Sequence, residues 1–236
     1  VDEGLAPSRA RAADLVRRGC VTVAGAVALK PGALVAEDAP LAVAADAGSS
    51  HVSRGALKLA AALRSFGLSP QGAVALDVGA STGGFTEVLL TEGAAKVYAV
   101  DVGREQLHER LRADPRVVSL EAADARKIDQ ALIPEPLTVL VADVSFISLT
   151  QALPAALKRA APGAWLVALV KPQFEAGREA VGKGDIVRDE TEWMRAIARV
   201  RDFLESEGWK VIGVIPSPIT GGSGNVEFLI GARNAP

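Results

Sequence analysis

The chain has 236 residues and a formal charge of −2, so no global basic field advertises a polyanionic partner, and nucleic-acid contacts must rest on local patches. Hydrophobic residues make up 49% of the sequence and aromatics only 4%, which predicts a core of Ala, Val and Leu, and the lone Cys20 excludes a disulfide framework or a cysteine zinc site. The longest apolar run, Ala164–Val170, is too short for a membrane span, and Val1-Asp2-Glu3-Gly4 lacks the basic and apolar regions of a signal peptide, so the default expectation is cytoplasmic.

In chain order, the sequence reads as a small module over 1–46, a linker over 47–51 marked by Ala47-Gly48-Ser49-Ser50, and a long alternating domain over 52–236. The absent initiator Met predicts an N-terminus that is processed, trimmed or begun elsewhere. In the small module Pro7-Ser8-Arg9 opens a helix with Ser8 as its cap, Ala12, Leu15 and Val16 form the apolar face, and Gly19 ends it. Val21 and Val23 alternate as a strand, Gly25 makes a turn, and Leu34-Val35 and Leu41–Val43 read as further short strands.

The pattern from Ser8 to Gly25 resembles the S4 RNA-binding module. That resemblance implies phosphate contacts from Arg9, Arg11, Arg17, Arg18 and Lys30, which supply position and affinity rather than base identity. Charge alone describes an ordinary solvated helix, since residues 1–46 hold five basic and six acidic side chains. S4 modules also open with an earlier helix, and here only Val1–Leu5 stand in its place.

The larger part begins with a helix over 53–66. Strands follow at 73–76, 96–100, 116–120, 137–142, 164–170, 209–215 and 226–231, with helices at 84–92, 104–112, 148–160 and 190–207. Apolar runs separated by helical patterns predict an α/β, Rossmann-like fold: a mostly parallel seven-stranded sheet with helices on both faces. Such sheets bind ligands outside the carboxyl ends of their strands.

Polar and glycine residues gather at those ends. Residues 76–85 read Leu-Asp-Val-Gly-Ala-Ser-Thr-Gly-Gly-Phe, a strand, a tight turn and a helix start. Ser81 stands where a dinucleotide fingerprint needs glycine, and no Gly-Lys-Ser/Thr follows, which excludes a Walker loop. The acid Asp77 ahead of Gly79, Gly83 and Gly84 suits S-adenosylmethionine, whose amino-acid end a carboxylate can hold directly or through water. Ser81, Thr82 and Phe85 complete that cradle. Asp101, with Val102 after it, is placed for the ribose hydroxyls of an adenosine cofactor, and Asp124, with Ala125, for the adenine amino group. Lys58 on the leading helix, Asp143 and Lys171 at strand ends, and Glu227 at the start of the last strand can converge at the same edge.

These motifs, with Val52-Ser53-Arg54-Gly55, Ala142–Leu149, Val170–Phe174 and Gly224–Glu227, resemble the hemolysin/TlyA family of ribosomal RNA 2′-O-methyltransferases over nearly the whole chain. The resemblance implies an FtsJ-like domain, a catalytic tetrad of Lys58, Asp143, Lys171 and Glu227, S-adenosylmethionine as donor, and the ribose 2′-hydroxyl of cytidine in small- or large-subunit rRNA as acceptor. Asp143 also lies next to the cofactor. Lys171 then takes or polarises the hydroxyl proton. Desolvation and the neighbouring Lys58 favour a neutral amine, whereas Asp143 and Glu227 favour the ammonium, which would orient and stabilise the developing alkoxide instead.

Arg54 and the glycine-containing segment 172–189, with Phe174, Arg178 and Lys183, are further RNA contacts, Phe174 by stacking on a base or, alternatively, packed inward. His51 and His108 read as local hydrogen-bonding residues, and no metal is expected. The competing readings are a non-catalytic RNA-binding or ribosome-assembly factor, a base N-methyltransferase, whose Pro-Pro motif is missing after Asp143, and a membrane-lytic protein, for which the chain lacks a spanning segment and a basic amphipathic helix.

Overall fold

The computed structural model describes residues 3–6, 9–17, 19–28, 30–36, 38–43, 51–175, 186–221 and 224–234, with the backbone alone for residues 10, 11, 14 and 17. Ser8, Arg18, the linker residues 47–50, Arg178 and Lys183 lie outside the described residues, as do the side chains of Arg11 and Arg17.

In the small module α1 (Arg9–Arg17) closes on Gly19, which adopts φ +67°. The Gly19 N–H donates to the Val16 carbonyl and the Cys20 N–H to the Leu15 carbonyl, both at 2.9 Å, the pairing that satisfies carbonyls left open at a helix end. β1 (Val21–Val23) is the central strand of an antiparallel sheet, flanked by β2 (Ala26–Val27) and β3 (Leu41–Val43). Ala6, Leu15 and Cys20 form the buried centre. The strand expected at Leu34-Val35 does not form. Both edges of β1 are already taken, and these two side chains stand in solvent.

The larger domain runs α2 (Gly55–Phe66), β4 (Val74–Val78), α3 (Gly84–Thr91), β5 (Lys96–Val100), α4 (Glu109–Arg112), β6 (Val117–Leu120), β7 (Leu137–Ala142), α5 (Leu149–Ala152), α6 (Pro154–Leu157), β8 (Ala160–Val170), α7 (Pro172–Glu175), α8 (Glu190–Ser206), β9 (Trp209–Pro216) and β10 (Phe228–Asn234). Its seven strands lie in the order β6-β5-β4-β7-β8-β10-β9. Strands β4 to β8 pair in parallel with one another, and β10 is antiparallel to both β8 and β9. Chain order therefore reverses between β4 and β7, and a crevice opens at their carboxyl ends.

Side chains of the central strands alternate between two apolar layers. Val139 and Val141 face one, with Leu59, Leu63 and Leu89 of α2 and α3. Leu140 and Ala142 face the other, with Leu149, Leu153, Ile197, Val200 and Leu204. Both faces are covered, which is why these strands read as unbroken apolar runs. On the antiparallel side Gly213 and Gly231 are cross-strand partners, and Phe66 lies over both: a Cβ at Gly231 would sit 2.8 Å from its ring.

Several expected elements differ in extent. The helix at 148–160 splits at Pro154, whose ring cannot donate within a continuous helix, and β8 starts at Ala160. Only Glu109–Arg112 of the expected 104–112 helix is helical. Ahead of it, Glu121 accepts backbone N–H bonds from Glu105, Gln106 and Leu107 at 2.8–2.9 Å and so holds an irregular segment. β4 extends to Val78, which places Asp77 inside the strand, and β10 starts one residue after Glu227. Among the described residues no helix is long and apolar enough to cross a membrane.

Candidate active site

The crevice at the β4/β7 reversal holds a cavity of about 250 Å³. Gly79 and Gly84, with Ser81, Thr82 and Phe85, form one wall, and Lys58, Asp143 and Lys171 line it from three other segments. The glycines follow from the geometry. Gly79 adopts φ +82°, and a Cβ there would meet the Asp143 backbone oxygen at 2.5 Å. Gly83 opens α3 at φ +97°, where a Cβ would collide with Leu107 and Leu111. The backbone of this turn can thus lie against a ligand with no side chain between them.

Asp101 secures the turn. Its Oδ2 accepts from the Ser81 N–H at 2.8 Å and its Oδ1 from the Gly103 N–H at 2.7 Å. A carboxylate has further lone pairs, so this half-buried acid keeps capacity for ribose hydroxyls. Val102 beside it is 74% exposed and presents an apolar surface. Asp101 and Val102 do not line the cavity themselves, but Asp101 holds the Ser81 backbone that does, and the glycine turn with this carboxylate behind it fits an adenosine cofactor.

Asp77 has a different place from the one its sequence position implied. It is wholly buried under the loop, outside the cavity wall, and its Oδ2 accepts from the Thr86 hydroxyl at 2.7 Å. Burial pushes its carboxyl up to about 7, with the Thr86 bond opposing and the charges of Asp143 and Asp101 adding to the rise. Asp124 also lies off the wall, with Ala125. It caps the turn over Ala125–Lys127 through the Arg126 N–H and pairs with the Arg126 guanidinium at 2.7 Å, which brings its carboxyl down to about 2.

The four tetrad residues converge as expected. Lys58 Nζ lies 2.6 Å from Glu227 Oε2, and Lys171 Nζ lies 2.6 Å from Asp143 Oδ1. Lys58, Lys171 and Glu227 are each less than a tenth exposed. Burial works to raise the Asp143 carboxyl, but the ammonium groups of Lys171 and Lys58 outweigh it and hold it below its ordinary value. Two ion pairs thus stand side by side at the cavity, fed by an early helix, two parallel strand ends and the turn before β10.

Several supports carried no clear sequence signal. Glu87 on α3 accepts from the Val52 N–H at 2.8 Å and His51 Nδ1 lies 3.1 Å away, while Arg110 also pairs with it, so the start of the domain is tied to the cofactor helix. Glu175, 2% exposed, accepts from the Ser148 hydroxyl and the Leu149 N–H at 2.5 and 2.7 Å, fixing the short helix after Lys171. Phe174 packs at 5.3 Å from Phe146, and Lys171 Nζ lies 5.9 Å from its centroid. Phe146 is 92% exposed at φ +66°, a conformation costly for a bulky residue, and was not singled out from sequence. Arg54 lines the cavity and donates to the Thr220 carbonyl, while Arg9 and Lys30 are exposed on the small module. Among the described residues no cluster of His, Cys, Asp and Glu is arranged to hold a metal.

Comparison with known proteins places the chain among methyltransferases. The chain is 46% identical over 233 residues to the 16S/23S rRNA (cytidine-2′-O)-methyltransferase TlyA of Mycobacterium tuberculosis, covering 99% of this chain and 87% of that protein. It is 40% identical to hemolysin A of Brachyspira hyodysenteriae, covering 96% and 94%. A solved Streptococcus thermophilus structure carrying the hemolysin name superposes with a TM-score of 0.79 at 41% identity, over 99% of this chain and 86% of that one. The FtsJ-like methyltransferase model matches residues 51–234, and the chain belongs to that family.

Proposed function

We propose that this chain transfers a methyl group from S-adenosylmethionine to the 2′-hydroxyl of cytidine in ribosomal RNA of the small or large subunit. The observation that carries the reading is the pair of buried ion pairs, Lys58–Glu227 and Lys171–Asp143, set beside a glycine turn on one cavity. The name of the Mycobacterium tuberculosis relative supports the choice of acceptor.

A ribose hydroxyl is a weak nucleophile near neutral pH. S-adenosylmethionine, when bound, supplies an electrophilic methyl on its sulfonium, which leaves positioning and proton handling to the protein. Gly79, Ser81, Thr82, Gly84 and Phe85 hold the cofactor, and Asp101 takes its ribose hydroxyls. Lys171 contacts the acceptor hydroxyl and takes or polarises its proton. Asp143 orients Lys171, and Glu227 holds Lys58 where its charge balances Asp143. Phe174 and Phe146 offer a stacking surface for a base next to Lys171. Arg54, Arg9 and Lys30 meet phosphates.

The test is transfer of labelled methyl to unmethylated 30S and 50S particles by the wild type and Lys171→Ala, with cofactor binding measured by calorimetry. The variant is expected to lose transfer by about 10²–10⁴-fold while it binds S-adenosylmethionine normally. Full turnover in the variant would remove Lys171 from the mechanism. A wild-type chain that binds no S-adenosylmethionine would favour a non-catalytic RNA-binding role.

A further inference from the structure

The nitrogen of Lys171 has a second partner besides Asp143. It donates to the Ser145 hydroxyl at 2.9 Å, and Ser145 is exposed on the cavity wall. The fold places this pair. β7 and β8 are parallel with Ala142 opposite Ala168, so the segment after β7 and the residue after β8 leave the sheet side by side, where Lys171 reaches Ser145. Asp143 and Ser145 are two apart on the segment that follows β7, and both side chains reach the Lys171 nitrogen. The chain then turns sharply at Phe146, at φ +66°.

We propose that Ser145 is a positioning residue for the reaction: with Asp143 it takes two of the three outward directions of the Lys171 nitrogen, so that the third faces the acceptor hydroxyl. The inference rests on the role given to Lys171 above. It holds for either protonation state. A neutral amine has two N–H bonds and one lone pair, and when both hydrogens are engaged the lone pair is aimed. An ammonium has three N–H bonds, and the third is aimed at the oxygen where negative charge develops. With Asp143 alone, the amine would be free to rotate about its Cε–Nζ bond.

A serine suits this position better than a second acid. Its hydroxyl accepts without adding negative charge that would hold the lysine proton more tightly. It also keeps its own O–H to donate, either to the incoming ribose or to the backbone. A small misplacement of a reacting group is enough to cost about two orders of magnitude in rate.

The test is steady-state kinetics of Ser145→Ala and Ser145→Thr on unmethylated subunits, with Lys171→Ala alongside. Ser145 is exposed, so the alanine variant is expected to keep the wild-type melting temperature. Its kcat is expected to fall about 10- to 100-fold with KM and Kd for S-adenosylmethionine unchanged. The pH profile of kcat is expected to shift, and Ser145→Thr, which restores a hydroxyl, to recover most of the rate. Wild-type kcat and an unchanged pH profile in Ser145→Ala, with Lys171→Ala inactive, would overturn the inference and leave the role of Lys171 standing. A rise in Kd for S-adenosylmethionine with kcat unchanged would make Ser145 a cofactor contact instead. Full activity in Lys171→Ala would remove the basis of both.

Discussion

The ion pairs Lys58–Glu227 and Lys171–Asp143 show how a buried arrangement of charge depends on each partner. Lys58 and Glu227 are paired at 2.6 Å, and Glu227 is 3% exposed. Removing one partner leaves a buried charge uncompensated, so Lys58→Met is expected to destabilise the fold by about 3–5 kcal/mol, and adding Glu227→Gln to recover more than half of that. Urea unfolding of the single and double variants checks this, and a loss below about 1 kcal/mol in Lys58→Met would show that the pair is hydrated. Asp77 gives a pH-dependent case. Its carboxyl is raised to about 7, so the folded chain holds the proton that the unfolded chain releases at its ordinary acid range. Its contribution to stability is therefore fully present below about pH 4 and lost as pH rises from about 4 to 7, a loss on the order of 4 kcal/mol. Asp77→Asn, which can still accept from Thr86, is expected to match the wild type at pH 4 and exceed its stability at pH 8. Equal unfolding midpoints at pH 8 would contradict the placement of this acid. Ser145 and Phe146 escaped the sequence reading because neither residue type carries a chemical signature alone. Their significance comes from Lys171 and Phe174, which lie on the next strand end and the short helix after it.

At the level of elements, strands were legible wherever apolar runs ended in an acid or a lysine. β5 and β7 match their expected bounds, and Asp143 and Lys171 follow β7 and β8 as read. The helices expected at 104–112 and 148–160 are shorter in the structure because periodicity does not register two competing interactions: the N–H bonds that Glu121 draws from the 105–107 backbone, and the break at Pro154. Asp77 was placed at a strand end, but β4 runs one residue further and buries it. The cofactor turn was legible because glycine spacing is a backbone requirement rather than a tertiary one. Gly79→Ala tests that requirement. A Cβ there meets the Asp143 backbone oxygen at 2.5 Å in a left-handed conformation, so the variant is expected to lose about 1–3 kcal/mol of stability and most of its S-adenosylmethionine affinity. Calorimetric titration that returned wild-type affinity would mean that the turn can relax without consequence.

For the whole molecule, the order β6-β5-β4-β7-β8-β10-β9 does what no single element can. It reverses direction between β4 and β7, which brings the glycine turn against Asp143, and it inserts the antiparallel β10 beside β8, which brings Glu227 across to Lys58 from far along the chain. The alternation of strands and helices in the sequence implies such a sheet and the convergence of the four residues at its edge, but not which lysine pairs with which acid. Delivery of a methyl group from this edge to a ribose oxygen is open to direct measurement. The most direct measurement is nuclease digestion and nucleoside analysis of unmethylated 30S and 50S particles after incubation with the protein and labelled S-adenosylmethionine. Label in 2′-O-methylcytidine from one or both particles is expected. Label in a base would contradict it, because the paired lysines and acids would then serve a different acceptor.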